Sequence, residues 1–463
     1  MTSLFASETK QRMFALLVAG CFFMENLDGT IVTTAVPQLS RSLGLSPGAV
    51  GSVMTVYLTS LAVGIPAGAW LTRRFGVRRI FLSALWIFTL ASLATGLSRS
   101  LGMLIGARVV QGCSAALMVP VGRYAVLRDA PKREVVKLVA YIVWPGLLAP
   151  VMGPIVGGVI VTYFSWPWLF LINVPLGIIG LVVAMRLTPR DTGNERLASP
   201  NWGDLVAVTV GLMALMVAAS FMASSAPGWL LVAVLLIVSG VALRWSMHRL
   251  RSSSHPFLDL TVWQYRSVRD ALVGMGLFTL AVGATPLLLP LLLEIVWGWT
   301  PLHATEIVAF IFAGNIGIKP ATTWLLTRWS HRTIIHAGIY GVMVSTVAFA
   351  LLRPTSGTIW WAGAALLAGA SRSVAFTAFI TLGFSGVPER LMATANTLSA
   401  TTQQVAAALA LATGSVVFRL AQRAGHSSPG LVTSWAFGIL TLVAMSPLFK
   451  VWSMPKTSGG DLV

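Results

Sequence analysis

The sequence predicts an all-α integral membrane protein of fourteen transmembrane helices, and three observations carry that reading. Of 463 residues, 56% are hydrophobic and only 10% are charged, against about a quarter charged in a soluble domain, so the exterior must be solvated by lipid. Apolar runs of about 20 residues, the length that crosses a hydrocarbon core roughly 30 Å thick, recur along the whole chain and leave little material for a soluble domain. The basic residues alternate between the runs: of 32 Lys and Arg, 23 sit at the termini and even-numbered loops, 5 in odd-numbered loops and 4 inside helices. Positive loops stay cytoplasmic, which puts both termini and the loop around Arg190 to Arg196 inside. Adding or removing one helix scrambles the alternation.

Helices are expected over 13–36, 48–71, 79–98, 102–127, 136–160, 168–187, 204–223, 229–247, 271–294, 303–327, 333–352, 358–381, 392–418 and 430–452. The first run is too long for a signal peptide, holds Glu25 and Asp28, and lacks a small-residue cleavage site, so it reads as a retained helix. Cys21 and Cys113 fall within apolar runs; they offer no disulfide framework or CxxC metal site, and both are expected as small core residues. The histidines, at 248, 255, 303, 331, 336 and 426, sit at loops or helix ends without a metal-binding spacing, and no G-x-x-x-x-G-K-[ST] nucleotide loop occurs. The net charge of +18 lies in inside-facing loops without a base-stacking aromatic module, so no nucleic-acid partner is expected.

Leu71-Thr-Arg-Arg-Phe-Gly-Val-Arg78 and Leu325-Leu-Thr-Arg-Trp-Ser-His-Arg332 align without a gap, matching Arg74 with Arg328 and Arg78 with Arg332. Each joins the second and third helix of a six-helix block, as a duplicated transporter would show. The expected organisation is a six-helix bundle over 1–190, two inserted helices over 191–250, a cytoplasmic linker over 251–270 and a second six-helix bundle over 271–463.

Helix 1 carries the costliest residues, because an ionisable group at the centre of a membrane helix is disfavoured by roughly 2.5–3.5 kcal/mol. Glu25 and Asp28 are three apart and share a face. Two carboxylates there suit groups that take up and release a proton; the alternative is a pair satisfied by a neighbouring Arg or backbone. In helix 4, Arg108, Gln111, Gly112 and Ala115 share a face, and the 1.5 Å rise per residue puts Arg108 and Asp28 at nearly the same depth. In helix 5, Gly146, Ala149, Gly153 and Gly157 form a smooth stripe while Pro150 and Pro154 remove backbone hydrogen bonds. That combination fits a helix that slides on its neighbour; tight static packing would explain the glycines alone. Arg372 in helix 12, the symmetry partner of helix 4, and Lys319 in helix 10 are cavity-lining candidates by cost, with snorkelling the alternative for Lys319. Glu294 and Glu306 lie near helix ends and read as solvated carboxylates.

These residues carry a family resemblance. Phe22-Phe-Met-Glu-Asn-Leu-Asp-Gly-Thr-Ile-Val-Thr-Thr-Ala-Val-Pro37 resembles the first-helix signature of the fourteen-helix drug:proton antiporters of the major facilitator superfamily (EmrB/QacA type), whose motif aspartate corresponds to Asp28. Arg108-x-x-Gln111-Gly112 resembles the fourth-helix motif whose arginine is linked to proton coupling, and Gly153-Pro-x-x-Gly-Gly158 the antiporter motif of the fifth helix. Ser165 to Gly177, Asn396-Thr-Leu and Thr402-Gln-Gln404 extend the likeness over essentially the whole chain. The loop motif departs from the family: Ala69 replaces its first glycine and Arg73 its acid, which puts the cytoplasmic latch in doubt. Thr33 and Pro167 are further departures, where asparagine and arginine are usual.

The resemblance implies a major facilitator fold and proton-driven export of small amphipathic molecules by alternating access, with no enzymatic activity and no cofactor beyond the proton gradient. Proton coupling falls to Asp28, Arg108 and Glu25. Conformational gating falls to Gly146, Pro150, Gly153, Pro154, Gly157, Gly158, Gly112, Arg74, Gly76 and Arg78. The substrate cavity takes Gln111, Lys319, Arg372, Asn396 and Gln403. The expected setting is the inner membrane of a bacterium, with the lipid bilayer, protons and a small-molecule substrate as partners and a monomer as the working unit. Export of one dedicated metabolite, such as a siderophore or amino-acid derivative, is the second transporter reading.

Overall fold

The computed structural model describes residues 8–32, 36–44, 47–128, 130, 132–188, 202–224, 228–252, 256, 258–425 and 428–454. The expectations for Thr33, the Arg190 to Arg196 loop, His255, His426 and both chain ends lie outside these residues. All regular structure described is helical. The chain divides into two compact units, the first of residues 1–217, 237–260 and 389–401, the second of 218–236, 261–388 and 402–463.

The first unit contains α1 (Glu8–Ile31), α2 (Val36–Leu43), α3 (Pro47–Gly64), α4 (Gly68–Phe75), α5 (Val77–Gly96), α6 (Leu101–Arg128), α7 (Lys132–Tyr163), α8 (Trp168–Leu171) and α9 (Asn173–Leu187). Three helices contribute to both units: α10 (Trp202–Ala223), α11 (Trp229–Ser252) and α17 (Glu389–Ala424). The second unit holds α12 (Arg266–Leu291), α13 (Pro301–Gly317), α14 (Lys319–Arg328), α15 (His331–Leu351), α16 (Thr358–Leu382), α18 (Pro429–Met445) and α19 (Leu448–Trp452).

Several expected single helices are broken, and prolines explain the breaks. The second is interrupted by a 3-10 turn, Ile65–Ala67, around Pro66, and the tenth divides at Ile318 because Pro320 has no N–H for the Ile316 carbonyl. Pro286 and Pro290 stay inside α12, whose end widens into a π turn over Leu292–Val296. The stretch His248 to Asp270 is helical at both ends, since α11 runs on to Ser252 and α12 starts at Arg266. Among the described residues, twelve helical spans are long and apolar enough to cross a membrane. α7 and the α13–α14 pair stand where the sequence places its fifth and tenth crossings. The apolar exterior agrees: α11 exposes Trp229, Leu230, Ile237 and Val241, which only lipid solvates cheaply. The chain is a multi-pass membrane protein.

In the first unit α6 is the hub, with α1, α3 and α5 packed on it. Close approach is set by small residues: a Cβ on Gly112 would stand 2.5 Å from the Tyr57 carbonyl, and one on Gly64 2.7 Å from Ala116. α7 lies on α1, where a Cβ on Gly146 would enter the Phe22 ring and one on Gly153 would stand 2.5 Å from Thr30 Oγ1. Gly157 is buried. At Gly158 nothing among the described residues lies within 4 Å of the Cβ position. Pro150 and Pro154 fall inside α7; their side chains are outside the description.

Cys113 corrects an expectation. It is exposed, because α6 presents Gly112, Ala115 and Ala116 to its neighbours and turns the thiol away from them. Cys21 is buried as expected.

The duplicated loop has a matching structural role in each unit. Gly76, at φ 85°, joins α4 to α5 in a conformation that favours glycine. Two residues on, Arg78 donates to the Thr188 and Met185 carbonyls, both at 2.7 Å, closing the end of α9. Arg332 at the start of α15 donates to the Trp452 carbonyl at 3.2 Å, closing the end of α19.

Candidate functional site

The costliest residue of α1 is met by its opposite charge. Asp28 is 1% exposed and Arg108 0%, and Arg108 Nη1 donates to Asp28 Oδ2. The second carboxylate oxygen accepts from Gln111 Nε2 at 3.1 Å and from Asn173 Nδ2 at 2.8 Å. Gln111 also accepts from Arg108 at 3.0 Å and donates to Ser92 Oγ at 2.8 Å. The guanidinium carbon lies 4.7 Å from the ring centres of both Tyr57 and Phe170, within cation–π range. A buried carboxylate held this way is neutralised as a pair yet keeps several donors that must reorganise when it is protonated.

The local sequence explains the assembly. Gly112 brings α6 against α3, so Arg108, one turn earlier, sits on the Tyr57 ring. The three-residue spacing of Arg108 and Gln111 puts both on one face toward α1. Asn173 is the first residue of α9, beside the short α8 that supplies Phe170.

Glu25, one turn before Asp28, is half-buried and outside this network. Its Oε2 is buried without a hydrogen-bond partner, and Tyr57 donates its hydroxyl to the Glu25 carbonyl at 3.1 Å. Arg123 is within electrostatic reach of Glu25. It donates to Asn396 Oδ1 at 2.6 Å, while Asn396 Nδ2 donates to the Pro120 carbonyl at 2.7 Å. Asn396 lines a small open cleft with Gly68, Thr72, Pro120 and Tyr124. Arg73, which replaces the family's acid, has a buried Nε without a partner, and Arg74 is exposed. In the second unit Lys319 is buried and bonded to Thr377, Arg372 and Gln403 are half-buried, and Glu306 is exposed. Among the described residues no group of His, Cys, Asp and Glu could hold a metal ion.

Sequence reasoning missed Asn173, Ser92, Tyr57 and Phe170 around Asp28, and gave Arg123 no role. Asn173 had a signal, as an amide in a run that is otherwise apolar from Trp168 to Met185; the aromatic residues had none, because rings are common in membrane helices.

The family model described as Major Facilitator Superfamily matches residues 18–411, most of the chain. The chain belongs to the Major Facilitator Superfamily. Relatives within the superfamily bear the name multidrug resistance protein MdtD. One, from Serratia proteamaculans strain 568, is 31% identical over 404 residues, 87% of this chain and 84% of its own length. Another, from Shigella flexneri serotype 5b strain 8401, is 33% identical over 386 residues, 82% of this chain and 81% of its own. Among solved structures, the major facilitator proton:xylose symporter XylE bound to 6-bromo-6-deoxy-D-glucose is similar in fold, with a TM-score of 0.67 at 12% identity and 97% of each chain covered.

Proposed function

We propose that this member of the superfamily is a proton-coupled exporter of small amphipathic molecules, working by alternating access. The observation that carries the reading is the buried Asp28 carboxylate, held by Arg108, Gln111 and Asn173. A proton taken up by Asp28 cancels the charge that holds Arg108, frees the guanidinium between Tyr57 and Phe170, and lets α1 shift on the glycine face of α7. Loss of the proton to the other side restores the pair. The membrane potential supplies about 2.3 kcal/mol per charge per 100 mV, so no cofactor or chemical conversion is needed. Glu25, with Arg123 in reach, is a second proton carrier in this reading.

The same reading takes residues 1–190 and 271–463 as two six-helix bundles, 191–250 as an inserted pair and 251–270 as a cytoplasmic linker, fourteen crossings in all. It places a monomer in the inner membrane of a bacterium with both termini inside and assigns it no nucleic-acid partner. The names of its relatives and the first-helix and fifth-helix motifs support export over uptake.

Purified protein in proteoliposomes with an imposed pH gradient tests it, with a panel of dyes and biocides as substrates. Asp28→Asn, which imitates the protonated state, is expected to abolish gradient-driven transport while substrate binding persists. Uphill transport at the wild-type rate and proton stoichiometry in that variant would overturn the assignment.

A further inference from the structure

The second unit holds a buried lysine and a half-buried arginine that no carboxylate among the described residues meets. Lys319 is 6% exposed, and its one hydrogen bond runs from Nζ to Thr377 Oγ1, 2.9 Å away. Arg372 lies within electrostatic reach of Lys319, and among the described residues no acid lies close to either. Asp270 is occupied by Lys450 at 2.8 Å and by Arg266, and Glu306 is exposed. Two like charges in a low-polarity interior repel and are costly.

Neutral polar groups beside them are also unsatisfied. α13–α14 and α16 run in the same direction with a defined register: a Cβ on Gly369 would enter the Ile311 carbonyl and stand 2.9 Å from Asn315 N, and Lys319 meets Thr377 two turns further on. Ser373 lies midway along α16 between those contacts, and Asn315 is one turn before Lys319. Both are at least nine-tenths buried, and Ser373 Oγ and Asn315 Oδ1 have no hydrogen-bond partner. The Asn315 amide can be turned end for end to present its NH2 group. The Lys319 ammonium keeps two free protons and the Ser373 hydroxyl one, all donors, with the Arg372 fork nearby.

We propose that Lys319, Arg372, Ser373 and Asn315 form a site for the carboxylate of an organic anion, so that anionic amphipaths are a preferred substrate class. This rests on the export reading above and names the chemistry of what is exported. A planar carboxylate fits better than a phosphate, because α13 and α16 are in backbone contact only one turn away at Gly369.

The test uses the full-length protein in uncharged detergent, where no gradient is present, and titrates it with 1-naphthaleneacetate and with 1-naphthaleneethanol, its neutral counterpart. The carboxylate is expected to bind about tenfold more tightly than the alcohol, the effect of one strong charge-assisted contact. Lys319→Gln and Arg372→Gln should each erase most of that preference without changing the affinity for the alcohol. Ser373→Ala should weaken carboxylate binding a few-fold, and Lys319→Arg should retain it. Asp28→Asn should leave the preference intact, so that failure of the anion site and failure of proton coupling are read separately. Equal affinity for the two probes in folded wild-type protein, or an unchanged preference in folded Lys319→Gln and Arg372→Gln, would overturn the proposal. Loss of carboxylate binding on reconstitution with phosphatidylglycerol, and its recovery in zwitterionic lipid, would assign the site to a lipid headgroup instead.

Discussion

Inside the first unit Asp28 and Arg108 neutralise each other, whereas in the second Lys319 is bonded to the Thr377 hydroxyl and, among the described residues, neither it nor Arg372 forms an ion pair. The two units are nevertheless assembled alike. In each, the fourth helix of the block, α6 or α16, takes the first, second and third helices against its sides. Backbone contact is made through glycine at comparable places, Gly64 and Gly112 in one and Gly314 and Gly369 in the other. The packing pattern is therefore shared while the polar content of the packed faces is not. Helix contacts tolerate any small residue that permits close approach, but a buried charge is costly, and the first unit offsets that cost with an ion pair while Lys319 in the second has only a hydroxyl partner.

The largest effect that could break this contrast is a deletion of one cation from each unit. Arg108→Ala strands a buried carboxylate, which costs about 3–5 kcal/mol, so folded yield and the melting temperature in detergent should fall sharply. Lys319→Gln removes a charge that had no counter-ion, so its melting temperature should stay near wild type or rise. Equal losses would mean that Lys319 has an acidic partner after all.

Packing should respond alike in the two units. Gly112→Leu and Gly369→Leu each drive a side chain into a neighbouring helix backbone, and each should destabilise by about 1–3 kcal/mol or more, read by thermal unfolding. A tolerated substitution in one unit alone would show that the shared pattern is superficial there.

Within the first unit, Gly153→Leu should slow turnover several-fold more than it weakens binding, since it jams α7 on Thr30 of α1. Gly158→Leu should leave both nearly unchanged, and transport rates in proteoliposomes separate the two. The smallest effect concerns the capping arginines. Arg78→Ala loses bonds to two carbonyls and Arg332→Ala to one, so the first should lower stability more, though both by no more than about 1 kcal/mol because the groups are partly solvated. The reverse order would show that the Arg332 contact is supported by more than that hydrogen bond.

The pairing of Asp28 with Arg108 was legible in the sequence because an ionisable residue inside an apolar run is costly enough to demand a partner, and helical rise alone brings the two level. Asn173 and Ser92 complete the same network but were not legible, since neutral polar side chains in membrane helices are common and often satisfy themselves on their own backbone, as Ser92 does with the Phe88 carbonyl. Arg123 raised the cost signal without a recognisable motif beside it, and its partner Asn396 is 273 residues away. The helices themselves were read from hydropathy, which averages straight across Pro66 and Pro320 and so missed the breaks there. The outward turn of Cys113 was hidden for a related reason: in lipid an apolar run does not say which of its faces is inside.

The arginine caps have a consequence for the order of synthesis. Arg78 leaves the ribosome 110 residues before Thr188, and Arg332 120 residues before Trp452. At about 5–20 residues per second, each guanidinium waits roughly 5–25 s for the carbonyl that will hold it. Each half of the chain thus carries its own closing clasp, set by the first turn of its third helix and fastened by the last turn of its final one. A nascent chain halted after Ile172 should therefore leave the α4–α5 turn open to protease, and one extended past Thr188 should protect it.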